Sequence, residues 1–288
     1  MRLSPVPVVL MALVAACSRQ APMQMAPGAA DRTPGRFVWY DLVTNDVAAA
    51  STFYGELFGW EFEEIPGHRN HFVLIRLDGV PIGGLVQLDR ENPDSTESQW
   101  IASLSVTNVD SMVERFLDRG GAVIGGPVDV KQRGRVAVVS DPQGAVLALV
   151  RTENGDPPER EPRMDDWLWQ ELWTTDGPSA LAFYQEMMGY QSQTVEIPSG
   201  AYHVLQRDGN SYAGLAQLPW DSVPPVWLPY IRVEDPREVS NRVEALGGRV
   251  ILSPDQIHSR EAAVIEDPTG GTLAIQRWTS RDEAGGGQ

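Results

Sequence analysis

Two carboxylates stand at matching places among aromatic residues. Asp41 lies in Phe37-Val38-Trp39-Tyr40-Asp41-Leu42-Val43, and Glu171 lies 130 residues later in Trp167-Leu168-Trp169-Gln170-Glu171-Leu172-Trp173. Both runs are rich in aromatic and β-branched residues, which predicts strands. Strand side chains alternate between faces. Phe37, Trp39, Asp41 and Val43 are therefore expected on one face, and Trp167, Trp169, Glu171 and Trp173 on its counterpart. A carboxylate among rings is costly unless it is hydrogen-bonded or paired, and its pKa tends upward. Asp41 and Glu171 are thus candidates to orient a bound ligand or to act as general bases. The competing expectation is structural, with Asp41 paired to Arg135 or Lys131 and Glu171 to Arg260 or Arg232.

The other titratable groups offer less. His68-x-x-His71 falls at a loop-to-strand junction rather than on a helix face, and Pro198 and Ala201 take those places 130 residues on. The pair is expected to be exposed and polar. His203 lies just inside a strand and His258 in a loop, both expected as hydrogen-bonded or surface histidines. The ligand-contact candidates are Trp39, Asp41, Trp169, Glu171, Tyr230, His71 and His203, with Gln87 and Gln217 as additional polar contacts. Trp39, Trp100, Trp167, Trp169, Trp173 and Trp227 all fall in predicted first strands. Most of them are expected to pack cores, and some to line a pocket for a planar or apolar ligand.

The elements that position these residues come from a duplication. Phe53-Tyr54, Gly59, Asp78-Gly79, Gly84-Leu85 and Gln87-Leu88 recur as Phe183-Tyr184, Gly189, Asp208-Gly209, Gly214-Leu215 and Gln217-Leu218. Farther on, Gly120-Gly121 recurs as Gly247-Gly248, and Asp141-Pro142 with Gly144 as Asp267-Pro268 with Gly270. A repeat of this length is a duplicated domain rather than a solenoid unit. Within each copy the order strand, helix, strand, strand, strand occurs twice. Asn45 or Asp46 caps a helix over Val47–Phe58 that Gly59 ends, and Asp78-Gly79 predicts a hairpin. The fold class is α+β, with four βαβββ modules in two tandem domains, 36–152 and 165–279. The segment 153–164 is a linker and 280–288 a Gly-rich tail. Each copy is large enough to bury its own core.

The formal net charge is −16, from 39 acidic against 23 basic residues. No basic stripe exists to neutralise a phosphate backbone, so nucleic acid is not an expected partner. At the amino terminus, Arg2 precedes an apolar run, Val6 to Ala16, too short to span a membrane. It ends in Val14-Ala15-Ala16-Cys17, and Cys17 is the single cysteine of the chain. This resembles the bacterial lipobox. The resemblance implies a signal peptide over 1–16, a lipid-modified Cys17, a flexible tether over 17–35 and a cell-envelope location. Ser18 after the cysteine favours the outer membrane, facing the periplasm. Acyl chains at about 0.8 kcal/mol per buried CH₂ make a stable anchor.

Four βαβββ modules, the helix ending Phe-Tyr-x-x-x-x-Gly and the Asp-Pro-x-Gly turn resemble the vicinal oxygen chelate superfamily, which includes glyoxalase I, bleomycin-resistance proteins and extradiol dioxygenases. The resemblance covers about Arg36 to Trp278. It implies curved mixed sheets that form cups, and a divalent metal in the cup acting as a Lewis acid. Carried over residue by residue, the ligand positions fall at Trp39, near Ile101 and at Ala148 in the first domain. In the second they fall at Trp169, near Leu228 and at Ala274. None of these side chains ligates a metal, so no cofactor is expected. The leading expectation is a lipid-anchored protein that binds a small molecule without a metal. The alternatives are a glyoxalase-like lyase or isomerase or a dioxygenase-like enzyme with a displaced site, where a divalent metal could return, and a non-catalytic envelope scaffold.

Overall fold

The computed structural model describes residues 31–66, 71–88, 98–197, 200–218, 223–257 and 259–279. Cys17 and the signal segment, His68, His258 and the tail 280–288 lie outside the described residues. The first copy runs β1 (Phe37–Thr44), α1 (Val47–Phe58), β2 (Glu61–Glu64), β3 (Phe72–Leu77), β4 (Val80–Gln87), β5 (Gln99–Ser105), α2 (Val109–Asp118), β6 (Ala122–Val130), β7 (Gly134–Ser140) and β8 (Val146–Thr152). The second runs β9 (Trp167–Thr174), α3 (Gly177–Met188), β10 (Gln191–Ile197), β11 (Gly200–Arg207), β12 (Asn210–Gln217), β13 (Val226–Val233), α4 (Pro236–Val243), β14 (Arg249–Leu252), β15 (Ala262–Glu266) and β16 (Thr272–Arg277). This is the α+β plan of four βαβββ modules.

Each copy forms one eight-stranded mixed sheet, ordered β2-β3-β4-β1-β5-β8-β7-β6 and β10-β11-β12-β9-β13-β16-β15-β14. The two modules of a copy meet where their first strands pair antiparallel, β1 on β5 and β9 on β13. Local chemistry sets the ends. Asp46 accepts a hydrogen bond from the Ala49 backbone N–H at the start of α1, and Gly59 closes the helix in the left-handed region. Asp78 and Gly79 both take positive φ, which a tight hairpin turn between β3 and β4 requires.

The cores are not one per copy, contrary to the expectation from length. The helix-bearing faces of the two sheets pack against each other, so two of the four apolar clusters draw on both copies. One joins Phe53, Tyr54 and Trp100 to Val243, Ile265 and Ile275; the other joins Phe116, Leu147 and Leu149 to Tyr184, Leu205 and Trp227. A Cβ on Gly248 would stand 2.7 Å from the Phe53 ring, so this close approach of α1 needs a glycine there. The recurring motifs are what join the copies. Tyr54 donates to Asp267 at 2.8 Å and accepts from the Trp100 indole at 3.0 Å. Tyr184 repeats this with Asp141 at 3.1 Å and Trp227 at 2.8 Å. Arg115 caps the Glu186 carbonyl at the end of α3, and Arg242 reaches the Glu56 and Leu57 carbonyls at the end of α1, a favourable place for cations. Near the amino terminus, Arg32 bonds the Thr152 carbonyl, and the Thr33 N–H bonds the buried Asp156 of the linker.

Candidate functional site

The opposite face of each sheet makes the cup. In the first sheet Val128 and Val130 of the edge strand β6 belong to one apolar cluster with Phe72 and Leu74 of β3, so the sheet curls over this face. A register shift between Phe37 and Trp39, matched by one between Tyr230 and Ile231 in the second sheet, interrupts the alternation. A bulge of this kind turns the preceding side chain to the other face. Phe37 and Trp167 therefore leave the cup faces on which strict alternation put them. Phe37 packs against Trp227, and Trp167 stacks on Tyr40 at 4.1 Å. Trp100 and Trp227 also lie in the cores between the copies.

The first cup is shut by its own side chains. Trp39 is 1% exposed and donates its indole N–H to Asp41 Oδ1 at 2.8 Å. Asp41 forms an ion pair at 2.5 Å with Arg133, whose guanidinium also donates to the Ser103 hydroxyl at 2.7 Å. The expected partners lie elsewhere. Arg135, two residues along, points outward to Asp110 and Asp129, and Lys131 is exposed at the turn. Alternation would put residues 133 and 135 on one face. Arg133, however, lies in the turn before β7, where Gln132 and Gly134 take positive φ, and reaches the cup from there, while Arg135 of the strand is directed to the α2 side.

The second cup is built differently on the same frame. Glu171 pairs in the ladder with Gly214 on one side and Leu228 on the other. Its Oε1 accepts from the Trp173 indole at 2.6 Å and the Tyr230 hydroxyl at 3.2 Å, and its Oε2 from the Tyr202 hydroxyl at 2.9 Å. Trp169 in turn donates to the Tyr202 oxygen at 3.0 Å. A Cβ on Gly214 would overlap the Tyr202 hydroxyl, which explains a glycine beside the carboxylate. Among the described residues no cation reaches Glu171. Arg232 instead donates to the Pro162 carbonyl and lies over the Trp278 ring, and Arg260 is exposed. Burial pushes the Glu171 carboxyl above its usual range, against the three donors, and pushes the Tyr202 and Tyr230 phenols upward too. Trp169, Trp173 and Tyr202 each keep part of their surface in solvent.

The structure thus brings Trp169, Glu171 and Tyr230 together, and Trp39 with Asp41 in a closed place. It does not bring His71 or His203 to either group. His71 faces Glu64 at the exposed edge hairpin, and His203 bonds Thr194 on the exposed strand β10. Gln87 and Gln217 accept backbone N–H groups at the starts of α1 and α3, so they are helix caps rather than pocket contacts. Sequence reasoning missed Tyr202 and Arg133. The repeat itself carried a signal for Tyr202, because Phe72 occupies the same place in the first copy and packs into the first cup.

Among the described residues, neither cup offers a set of ligands that fits a divalent metal. Trp39, Ser103 and Ala148 form one row across the first sheet, and Trp169, Tyr230 and Ala274 the matching row of the second. The middle positions are thus Ser103 and Tyr230, two residues on from the expected Ile101 and Leu228. In the first cup a guanidinium already holds the carboxylate. In the second, the groups nearest the single carboxylate are three N–H and O–H donors, so among the described residues a metal would find one ligand and no further lone pairs, while a carboxylate with about four lone-pair sites still keeps one open to a donor. A separate cleft lies between the copies, bordered by Gln143, Phe183 and the ion pair of Arg119 with Glu186.

A family model described as the Glyoxalase/Bleomycin resistance protein/Dioxygenase superfamily matches residues 36–149. The Mycobacterium tuberculosis protein named "Putative glyoxylase CFP32" is 30% identical over 241 residues, covering 82% of this chain and 92% of that protein. The anthracycline biosynthesis protein DauV of a Streptomyces species is 27% identical over 256 residues, covering 84% and 93%. Among solved structures, a Mn(II)-bound glyoxalase from Novosphingobium aromaticivorans superposes with a TM-score of 0.58 at 14% identity, covering 85% of this chain and 82% of that one. Homoprotocatechuate 2,3-dioxygenase from Arthrobacter globiformis superposes at 0.55 with 16% identity, covering 89% and 82%. At these identities the structural matches establish the fold alone.

Proposed function

This chain belongs to the glyoxalase/bleomycin resistance protein/dioxygenase superfamily, and from that premise we propose that it binds a small organic molecule in the cup of its second domain without a metal. The observation that carries the reading is the difference between the two cups. Arg133 fills the first, while the second keeps Trp169, Trp173 and Tyr202 partly exposed around Glu171. Aromatic walls with a few convergent polar groups are the usual make-up of a small-molecule site. A titration of the full chain with a panel of flat, apolar aromatic compounds, followed by tryptophan fluorescence, tests this. A saturable change that Trp173→Leu weakens is expected; no saturable change with any member, in a protein that remains folded, contradicts it.

A second reading has a specific observation behind it. Burial raises the Glu171 pKa above its ordinary value, the direction that favours a carboxyl group acting as an acid or base. A glyoxalase-like enzyme would use Glu171 as its acid or base, and Glu171→Gln would abolish turnover while leaving binding in place. The proposal also sets the protein at the bacterial envelope, held by acyl chains on Cys17, and rests there on Val14-Ala15-Ala16-Cys17. Labelling cells with a clickable fatty acid should mark the wild-type chain and not Cys17→Ser.

A further inference from the structure

We infer that the second cup selects organic cations, taking a ligand whose guanidinium or ammonium group sits on Glu171 while its apolar body lies against Trp169 and Trp173. This deepens the small-molecule reading above and rests on it. The first cup supplies the template. Both copies hold a carboxylate at the same position of their first strand, beside a glycine of the neighbouring strand. Both carboxylates accept an indole N–H, from Trp39 in one cup and Trp173 in the other. In the first cup the cation is internal, the Arg133 guanidinium at 2.5 Å from Asp41 Oδ2. In the second, the turn that matches the Arg133 turn keeps Arg260 exposed, and among the described residues no cation replaces it.

The surroundings fit a cation from outside. Glu171 is only 8% exposed, so an arriving cation would meet its charge with little screening. Tryptophan and tyrosine rings are the side chains that best receive an organic cation on their faces, and four of them stand around this carboxylate. The net charge of −16 draws cations toward the protein before they dock.

The test uses the full chain and two probes of one shape, benzylguanidinium and the neutral benzylurea, each titrated by tryptophan fluorescence and by calorimetry. Charge-assisted pairing predicts that benzylguanidinium binds at least about tenfold tighter. Glu171→Gln should shrink that preference to within about threefold, since the amide still accepts hydrogen bonds but carries no charge. Equal or tighter binding of benzylurea to the wild-type chain overturns cation selection and leaves the small-molecule reading standing. Binding of neither probe overturns cation selection too, and the aromatic panel then decides the broader reading separately. The wild-type comparison needs no variant, so a folding defect in Glu171→Gln does not remove the test.

Discussion

Arg133→Met isolates the charge that shuts the first cup. Arg133 and Asp41 expose 2% and 1% of their side chains, so solvent screens neither group. The substitution keeps most of the apolar volume and leaves Asp41, among the described residues, with the Trp39 indole as its side-chain donor. Breaking a buried pair by removing one partner costs about 3–5 kcal/mol. In the double variant with Asp41→Asn, the uncompensated charge is gone and the amide oxygen still accepts from Trp39. That variant should recover all but about 1–2 kcal/mol, giving a coupling of about 2 kcal/mol or more in the cycle. Urea denaturation followed by fluorescence and circular dichroism measures it, with guanidinium salts avoided because the ion mimics the missing group. A single variant within about 0.5 kcal/mol of wild type, additive with Asp41→Asn, would refute the buried pair.

Tyr54→Phe strips Asp267 and the Trp100 indole of a partner and Tyr184→Phe does the same to Asp141 and Trp227, so each should destabilise by about 1–3 kcal/mol in the same urea assay. The first copy produced alone, residues 31–160, should aggregate or fail to reach a compact monomer in size-exclusion chromatography, because α1 and α2 lose the faces they pack on. Mixing it with the second copy should restore a one-to-one complex. For pH, the raised Glu171 pKa means that its contribution to stability is fully present below about 4.5 and is lost as pH rises through the folded value. Glu171→Gln should therefore flatten the fall in melting temperature above that pH, and an unchanged profile would contradict it.

Much of the fold was legible because its signals are local. Asp46 and Gly59 bound α1 by capping chemistry, Asp78-Gly79 forms the hairpin, and the duplicated motifs order the modules. The partners of those motifs were not legible. Nothing in the chain ties Tyr54 to Asp267 rather than to a group of its own copy, since that bond depends on how two sheets stack. The carboxylates of the cups were found by alternation together with the ligand positions that the family resemblance put at Trp39 and Trp169, yet alternation misplaced Phe37 and Trp167, because a one-residue bulge reverses every face before it. Choosing Arg133 over Arg135 required knowing that the turn residue rather than the strand residue reaches into the cup, and where a strand begins and how it registers is a tertiary property. The aromatic character of the second cup was visible, but not that its carboxylate is held by three neutral donors while its twin holds an arginine.

The most direct measurement is a crystal structure of the protein soaked with benzylguanidinium. The account predicts density in the second cup, with the guanidinium on Glu171 and the ring against Trp169 or Trp173, and a first cup still closed by Arg133. Density in the first cup or in the cleft beside Arg119 and Glu186, with the second cup filled by Arg260, would contradict it.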